Sequence, residues 1–72
     1  MTNEEKIALI EEVMDLDEGT LNEDSVLDDY DEWDSLSKLS LIALAKKEFG
    51  LVLKTENIKE FKTVSDICNF LN

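Results

Sequence analysis

An all-α fold is predicted by three features of this 72-residue chain. Apolar residues recur at helical spacing in separate stretches, there is no proline and only Gly19 and Gly50, and the one β-like run, Leu51-Val52-Leu53, has no second such run to pair with. The expectation is a small bundle of three longer helices and one short helix, with a long loop between the first two. Residues 1–72 are expected to form a single domain, because a chain this short buries too little apolar surface for two cores.

The first helix is predicted over about residues 3–14. Thr2 and Glu5 have the Thr-x-x-Glu form of a capping box, and Glu4 and Glu5 suit the positive end of the helix dipole. Ile7, Ile10, Val13 and Met14 follow at helical spacing, with Leu9 widening the stripe, so Lys6, Glu11 and Glu12 are expected to face solvent.

Periodicity stops from Asp15 to Asp34, where Gly19, Asn22 and scattered acids mark a loop. A loop this long inside a small domain is often functional. Its isolated apolar residues, Leu16, Leu21, Val26, Leu27 and Tyr30, are expected to pin it to the core. Starting an EF-hand register at Asp15 or Asp29 puts Thr20 or Asp34 where glycine is needed and Val26 or Ser40 where glutamate is needed, so no EF-hand metal site is predicted.

Asp34 or Ser35 is placed to cap the second helix, which runs to Phe49 and stops at Gly50. Leu36, Leu39, Leu41, Ile42, Ala43, Leu44, Ala45 and Phe49 cover most of its circumference, so it is expected to be the central, most buried helix. Ser37, Lys38, Ser40, Lys46, Lys47 and Glu48 are its polar positions. Leu51-Val52-Leu53 reads as a buried connection, followed by a short helix that Thr55 caps and that runs through Ile58 to Phe61. Thr63 and Asp66 form a second cap, and Val64, Ile67, Cys68, Phe70 and Leu71 make the apolar side of the last helix.

Charge narrows the function. The net charge is −11, and it is divided unevenly. Residues 1–34 hold 14 of the 18 acids against Lys6 alone, a balance of −13, whereas residues 35–72 hold four acids and six lysines, a balance of +2. Nucleic acid is a poor partner for such a surface. There is no histidine and one cysteine, so no Ser-His-Asp, Cys-His or His-rich zinc arrangement can be built within the chain. A serine nucleophile acting alone would need a lysine base, and Lys38 lies three residues further along the same helix as Ser35 rather than across a pocket. An enzyme is therefore not expected. Cys68 is expected to be a buried structural thiol. The N-terminus lacks the pattern of a signal peptide, and no run reaches transmembrane length, so cytoplasmic residence and no membrane insertion are expected. A monomer is the expected state.

Ser35 stands where a helix N-terminus presents unpaired N–H groups and partial positive charge, which stabilise a phosphate-type group. Asp34, alone or with Asp31 or Glu32, is placed to hold a divalent cation as a phosphate donor approaches. A plain helix cap explains the same residues. For Tyr30 and Trp33, partner contact and folding back on the bundle remain two open readings.

Asp34-Ser35-Leu36 leading into Leu39-Ser-Leu-Ile-Ala-Leu-Ala-Lys-Lys-Glu-Phe49, with Phe61-Lys-Thr-Val-Ser-Asp-Ile-Cys-Asn-Phe-Leu71 behind it, resembles the acyl carrier and peptidyl carrier proteins. The similarity covers nearly the whole chain and implies an acyl-carrier-like bundle. It implies further that Ser35 receives a phosphopantetheine arm from coenzyme A through a phosphopantetheinyl transferase, and that the arm's thiol carries an acyl or aminoacyl group as a thioester. Asp34, Leu36, Trp33 and Lys38 would then be recognition residues for the transferase or other partners. An acyl- or aminoacyl-loading ligase and a downstream acyltransferase or synthase would complete the set of partners.

Two departures stand out. Fatty-acid-synthesis carriers typically show acids along the exposed side of the helix after the serine, where this chain has Ser37, Lys38, Ser40, Lys46 and Lys47, and the usual glycine before the Asp-Ser pair is replaced by Glu32-Trp33. The pattern resembles stand-alone carriers of aminoacyl, polyketide or saccharide-modifying pathways more than a housekeeping carrier. A non-covalent acidic helical adaptor is the alternative from another class.

Overall fold

The computed structural model describes residues 1–71 and contains four α-helices: α1 (Asn3–Val13), α2 (Ser35–Phe49), α3 (Thr55–Glu60) and α4 (Val64–Phe70). Among the described residues there is no strand. The α1–α2 connection holds one turn of 3-10 helix, Leu27–Asp29, and an isolated antiparallel bridge between Val26 and Thr63. The expected capping box of α1 forms: the Glu5 N–H donates to Thr2 Oγ1 at 3.2 Å, and the Thr2 N–H donates to Glu5 Oε1 at 3.0 Å. At its other end α1 stops without a glycine, because Asp15 adopts the left-handed conformation (φ 56°) and the Leu16 N–H returns to the Glu11 carbonyl.

Helix α1 packs against both α2 and α4. One core joins Ile10 of α1 and Met14 at its C-cap, Leu41 and Ala45 of α2, Ile58 of α3, and Val64, Ile67 and Cys68 of α4. Leu21, Leu27, Trp33, Leu53, Phe61 and Leu71 complete it from the connections and the C-terminal end. The Phe61 and Phe70 rings meet edge to face, with centroids 5.8 Å apart, and join the end of α3 to α4.

Two of the three polar residues expected to face solvent on α1 are buried, and each has a partner. Lys6 is 4 % exposed and donates from Nζ to the Cys68 carbonyl at 3.3 Å; its apolar stem lies in the core while its head meets the end of α4. Glu11 is 3 % exposed, and its Oε2 accepts the Leu21 N–H at 2.8 Å. Glu12 is exposed, as expected.

The long loop is held more by backbone than by side chains. Leu27 donates its N–H to the Lys62 carbonyl, and Val64 and Ser65 donate theirs to Ser25 and Glu23, so the loop is laced to the start of α4. Leu21 and Leu27 are buried and Leu16 and Tyr30 half-buried, whereas Val26 is exposed: the bridge uses its backbone and leaves its side chain in water.

Helix α2 departs most from expectation. It begins and ends where predicted, with Asp34 as N-cap and Gly50 in the left-handed position at φ 64°. It is not buried around its circumference. Leu41 and Ala45 are enclosed, Ile42, Leu44 and Phe49 are half-buried, and Leu36 (72 % exposed), Leu39 (63 %) and Ala43 face water. Ser37, expected to be a surface residue, is buried. After Gly50, Leu53 is buried but Val52 is exposed, so the connection to α3 is only partly interior. Lys54 rather than Thr55 is the N-cap of α3, and its N–H donates to Asn57 Oδ1. The cap of α4 forms as predicted, with Asp66 Oδ2 accepting the N–H groups of Lys62 and Thr63 at 2.9 and 3.1 Å.

Candidate functional site

The loop enters α2 through three anchors that fix Ser35 in space. Trp33 is 8 % exposed and seated in the core, which draws the chain inward just before the helix. Asp34 then turns outward in an extended conformation, and its Oδ1 accepts the Ser37 N–H at 2.9 Å. Ser37 in turn donates its hydroxyl to the Glu32 carbonyl, joining the first turn of α2 to the loop before it. The core, the cap and this return bond hold the backbone on either side of Ser35. Ser35 itself is exposed as the first residue of α2.

The Asp34 carboxyl is held below its ordinary pKa, chiefly by the backbone N–H bond from Ser37. It is thus a charged cap whose acceptor is already engaged by the helix. Lys38 completes the first turn. Its Nζ lies 5.6 Å from the centroid of the Trp33 ring, a cation–π contact worth about 0.5–1 kcal/mol at an exposed site and more where water is excluded.

Ser35 opens onto a cleft of about 320 Å³ between α2 and α3, lined by Ser35, Lys38, Leu39, Ile42, Thr55, Ile58 and Lys59. In a chain of net charge −11, this lining contains two lysines, two hydroxyls and no carboxylate. An apolar floor with cations at its rim suits a flexible group that carries a phosphate at one end and an organic chain beyond it. Larger surface hollows lie elsewhere, and one of about 680 Å³ between α1 and the loop includes Glu4, Glu11, Glu18 and Glu23 in its lining and repels such a group.

Of the residues singled out in the sequence, Asp34, Ser35, Leu36 and Lys38 lie together on the first turn of α2, with Leu36 projecting into water beside the serine. Trp33 lies beneath them: its ring is taken up by the core and by Lys38, and so serves the inside of the protein rather than an open surface. Tyr30 is half-buried. The α3 side of the cleft, Thr55, Ile58 and Lys59, is not marked as a site by the sequence, in which Thr55 and Ile58 read only as parts of a short helix. Cys68 is 1 % exposed on the far element, and burial pushes its thiol up, away from the reactive thiolate. Among the described residues no cluster of three or more His, Cys, Asp or Glu side chains is placed to hold a metal ion, and no helix is long and apolar enough to cross a membrane.

Comparison with known proteins agrees with this geometry. Residues 7–71 match the family described as "phosphopantetheine attachment site". The chain is 32 % identical over 75 residues to the acyl carrier proteins of Arthrobacter sp. (strain FB24) and Paenarthrobacter aurescens (strain TC1), covering 97 % of this chain and 91 % of each relative. Its fold superposes on the solution NMR structure of holo acyl carrier protein from Geobacter metallireducens with a TM-score of 0.76 at 24 % identity, over 97 % of this chain and 80 % of that one. The four-helix arrangement, the family match and the relatives lead to one conclusion: the chain belongs to the acyl carrier protein family, with covalently attached phosphopantetheine as its prosthetic group.

Proposed function

We propose that Ser35 is the attachment residue and that the chain carries an acyl or aminoacyl group as a thioester on the arm joined there. The observation that carries this reading is the position of Ser35: an exposed hydroxyl on a rigid first helical turn, at the mouth of a cleft free of carboxylates. Ser37 and Ser40 lie on the same helix but are buried and half-buried. The chain's residues bind and orient. Asp34 and Trp33 hold the helix entrance, Leu36 offers an apolar contact to the phosphopantetheinyl transferase, and Leu39, Ile42 and Ile58 give the arm or its cargo an apolar bed.

Phosphopantetheine supplies the thiol on which the thioester is formed, and bond making and breaking belong to the partner enzymes. Tethering confers an effective concentration of roughly mM for a short flexible link, so a docked partner sees its substrate near saturation. The arm, comparable to about six extended residues, reaches on the order of 20 Å. Loading ligase and downstream acyltransferase or synthase would be met in the cytoplasm, where coenzyme A and the transferase operate.

The cargo is assigned to a specialised pathway rather than to housekeeping fatty-acid synthesis. Support comes from α2, which carries three lysines and one carboxylate, Glu48. A partner with a basic docking rim is repelled by such a helix.

The attachment reading is tested by intact mass after incubation with coenzyme A, magnesium and a broad-specificity phosphopantetheinyl transferase, with Ser35→Ala as control. A gain of one arm on the parent alone supports it. No gain on folded protein returns the chain to the non-covalent adaptor reading. The pathway reading is tested separately with a malonyl-transfer enzyme of fatty-acid synthesis: the holo chain should be at least about tenfold poorer than a fatty-acid carrier, the equivalent of about 1.4 kcal/mol in recognition.

A further inference from the structure

Lys38 is three residues beyond Ser35 on α2, a spacing that places two side chains on one helix face with their Cβ atoms about 5–6 Å apart. Helical side chains lean toward the N-terminus. Lys38 does so here, because its Nζ lies over the ring of Trp33, a residue that precedes the helix. The ammonium is therefore bent back across the turn that bears Ser35, and both residues line the same cleft. Asp34, the nearest acid in sequence, has its Oδ1 engaged with the Ser37 N–H, and no carboxylate enters the cleft lining.

We propose that Lys38, steered by Trp33, is the counter-ion of the phosphodiester that joins the prosthetic arm to Ser35. The inference rests on Ser35 being the attachment residue. A phosphodiester carries one negative charge at neutral pH, and a lysine already held by an aromatic face loses less side-chain freedom on pairing than one free in water. Lys59, the other cation of the cleft, belongs to α3 and makes no cation–π contact among the described residues, so it serves as the control. Lys38 is thus a positioning residue: it sets the direction in which the arm leaves the helix.

Trp33 is the sole tryptophan, and it reports on the contact directly. The parent chain, Lys38→Gln, Lys38→Arg and Lys59→Gln are each converted to the holo form with coenzyme A, magnesium and transferase, and complete conversion is verified by intact mass. Tryptophan emission is recorded before and after conversion, and the phosphorus-31 resonance of the diester is recorded in each holo protein. Conversion should change Trp33 emission in the parent, in Lys38→Arg and in Lys59→Gln, but not in Lys38→Gln, and Lys38→Gln alone should shift the phosphorus resonance. Equal emission changes in the parent and Lys38→Gln, or a silent Trp33 in a fully converted parent, would overturn the assignment of Lys38 while leaving Ser35 as the attachment residue. A parent that gains no mass overturns both.

Discussion

Glu11 Oε2 accepts the backbone N–H of Leu21 at 2.8 Å, ten residues away in sequence and buried from solvent. This single bond links the last turn of α1 to the loop that leads toward Ser35, and it explains why an acid occupies a helix position that is 97 % enclosed. Replacing Glu11 with alanine leaves a buried N–H without its acceptor, at a cost of about 1–3 kcal/mol. Glu11→Gln keeps an acceptor oxygen and should lose less. Urea unfolding should rank the proteins parent, Glu11→Gln, Glu11→Ala in falling stability.

Acid should weaken the protein through its caps. The Glu5, Asp34 and Asp66 carboxyls lie below their ordinary pKa values because each accepts backbone N–H bonds in the folded chain: from Thr2, from Ser37, and from Lys62 and Thr63 respectively. A pKa depressed by folding contributes stability that is fully present above the unfolded-state value. That contribution is lost as the pH falls from there through the lower folded value. Asp34→Asn keeps a capping oxygen but cannot titrate. The Tm difference between parent and Asp34→Asn should therefore be constant near neutrality and change only on the acid side of the ordinary carboxylate pKa.

The two exposed leucines of α2 should be silent in stability and audible in recognition. Leu36 and Leu39 are 72 % and 63 % exposed, so truncation to alanine should alter unfolding free energy by no more than about 0.5 kcal/mol. Leu41, fully enclosed one turn further on, should cost about 2–5 kcal/mol when truncated. If Leu36 is an apolar anchor for the transferase, losing it should slow arm attachment about tenfold, as is typical of a contact worth more than 1 kcal/mol. Initial rates of arm attachment to Leu36→Ala, measured beside its unfolding curve, check both halves of the expectation.

Much of the fold is legible in the sequence where local chemistry decides it. The capping box at Thr2 and Glu5, the Asp34 start and Gly50 stop of α2, and the Asp66 cap of α4 all follow from hydrogen bonding within a few residues. Burial of Lys6 and Glu11 does not, because their partners, the Cys68 carbonyl and the Leu21 N–H, are 62 and ten residues away. The exposure of Leu36 and Leu39 was likewise hidden. A helix rich in leucine reads as core, and only the positions of its neighbours show that Leu36 and Leu39 lie on the side of α2 turned away from the core. The α2 half of the site was visible because Asp34-Ser35-Leu36 and Lys38 are contiguous, whereas the α3 wall depended on a tertiary arrangement that spacing does not encode.

The most direct measurement of the central claim is fragment-ion mass spectrometry of the arm-bearing peptide from the converted protein. The arm should map to Ser35, with Ser37 and Ser40 unmodified, and Ser35→Ala should yield no modified peptide. An arm found on Ser37 or Ser40, or still acquired by folded Ser35→Ala, would contradict the assignment of Ser35 as the residue around which this carrier is built.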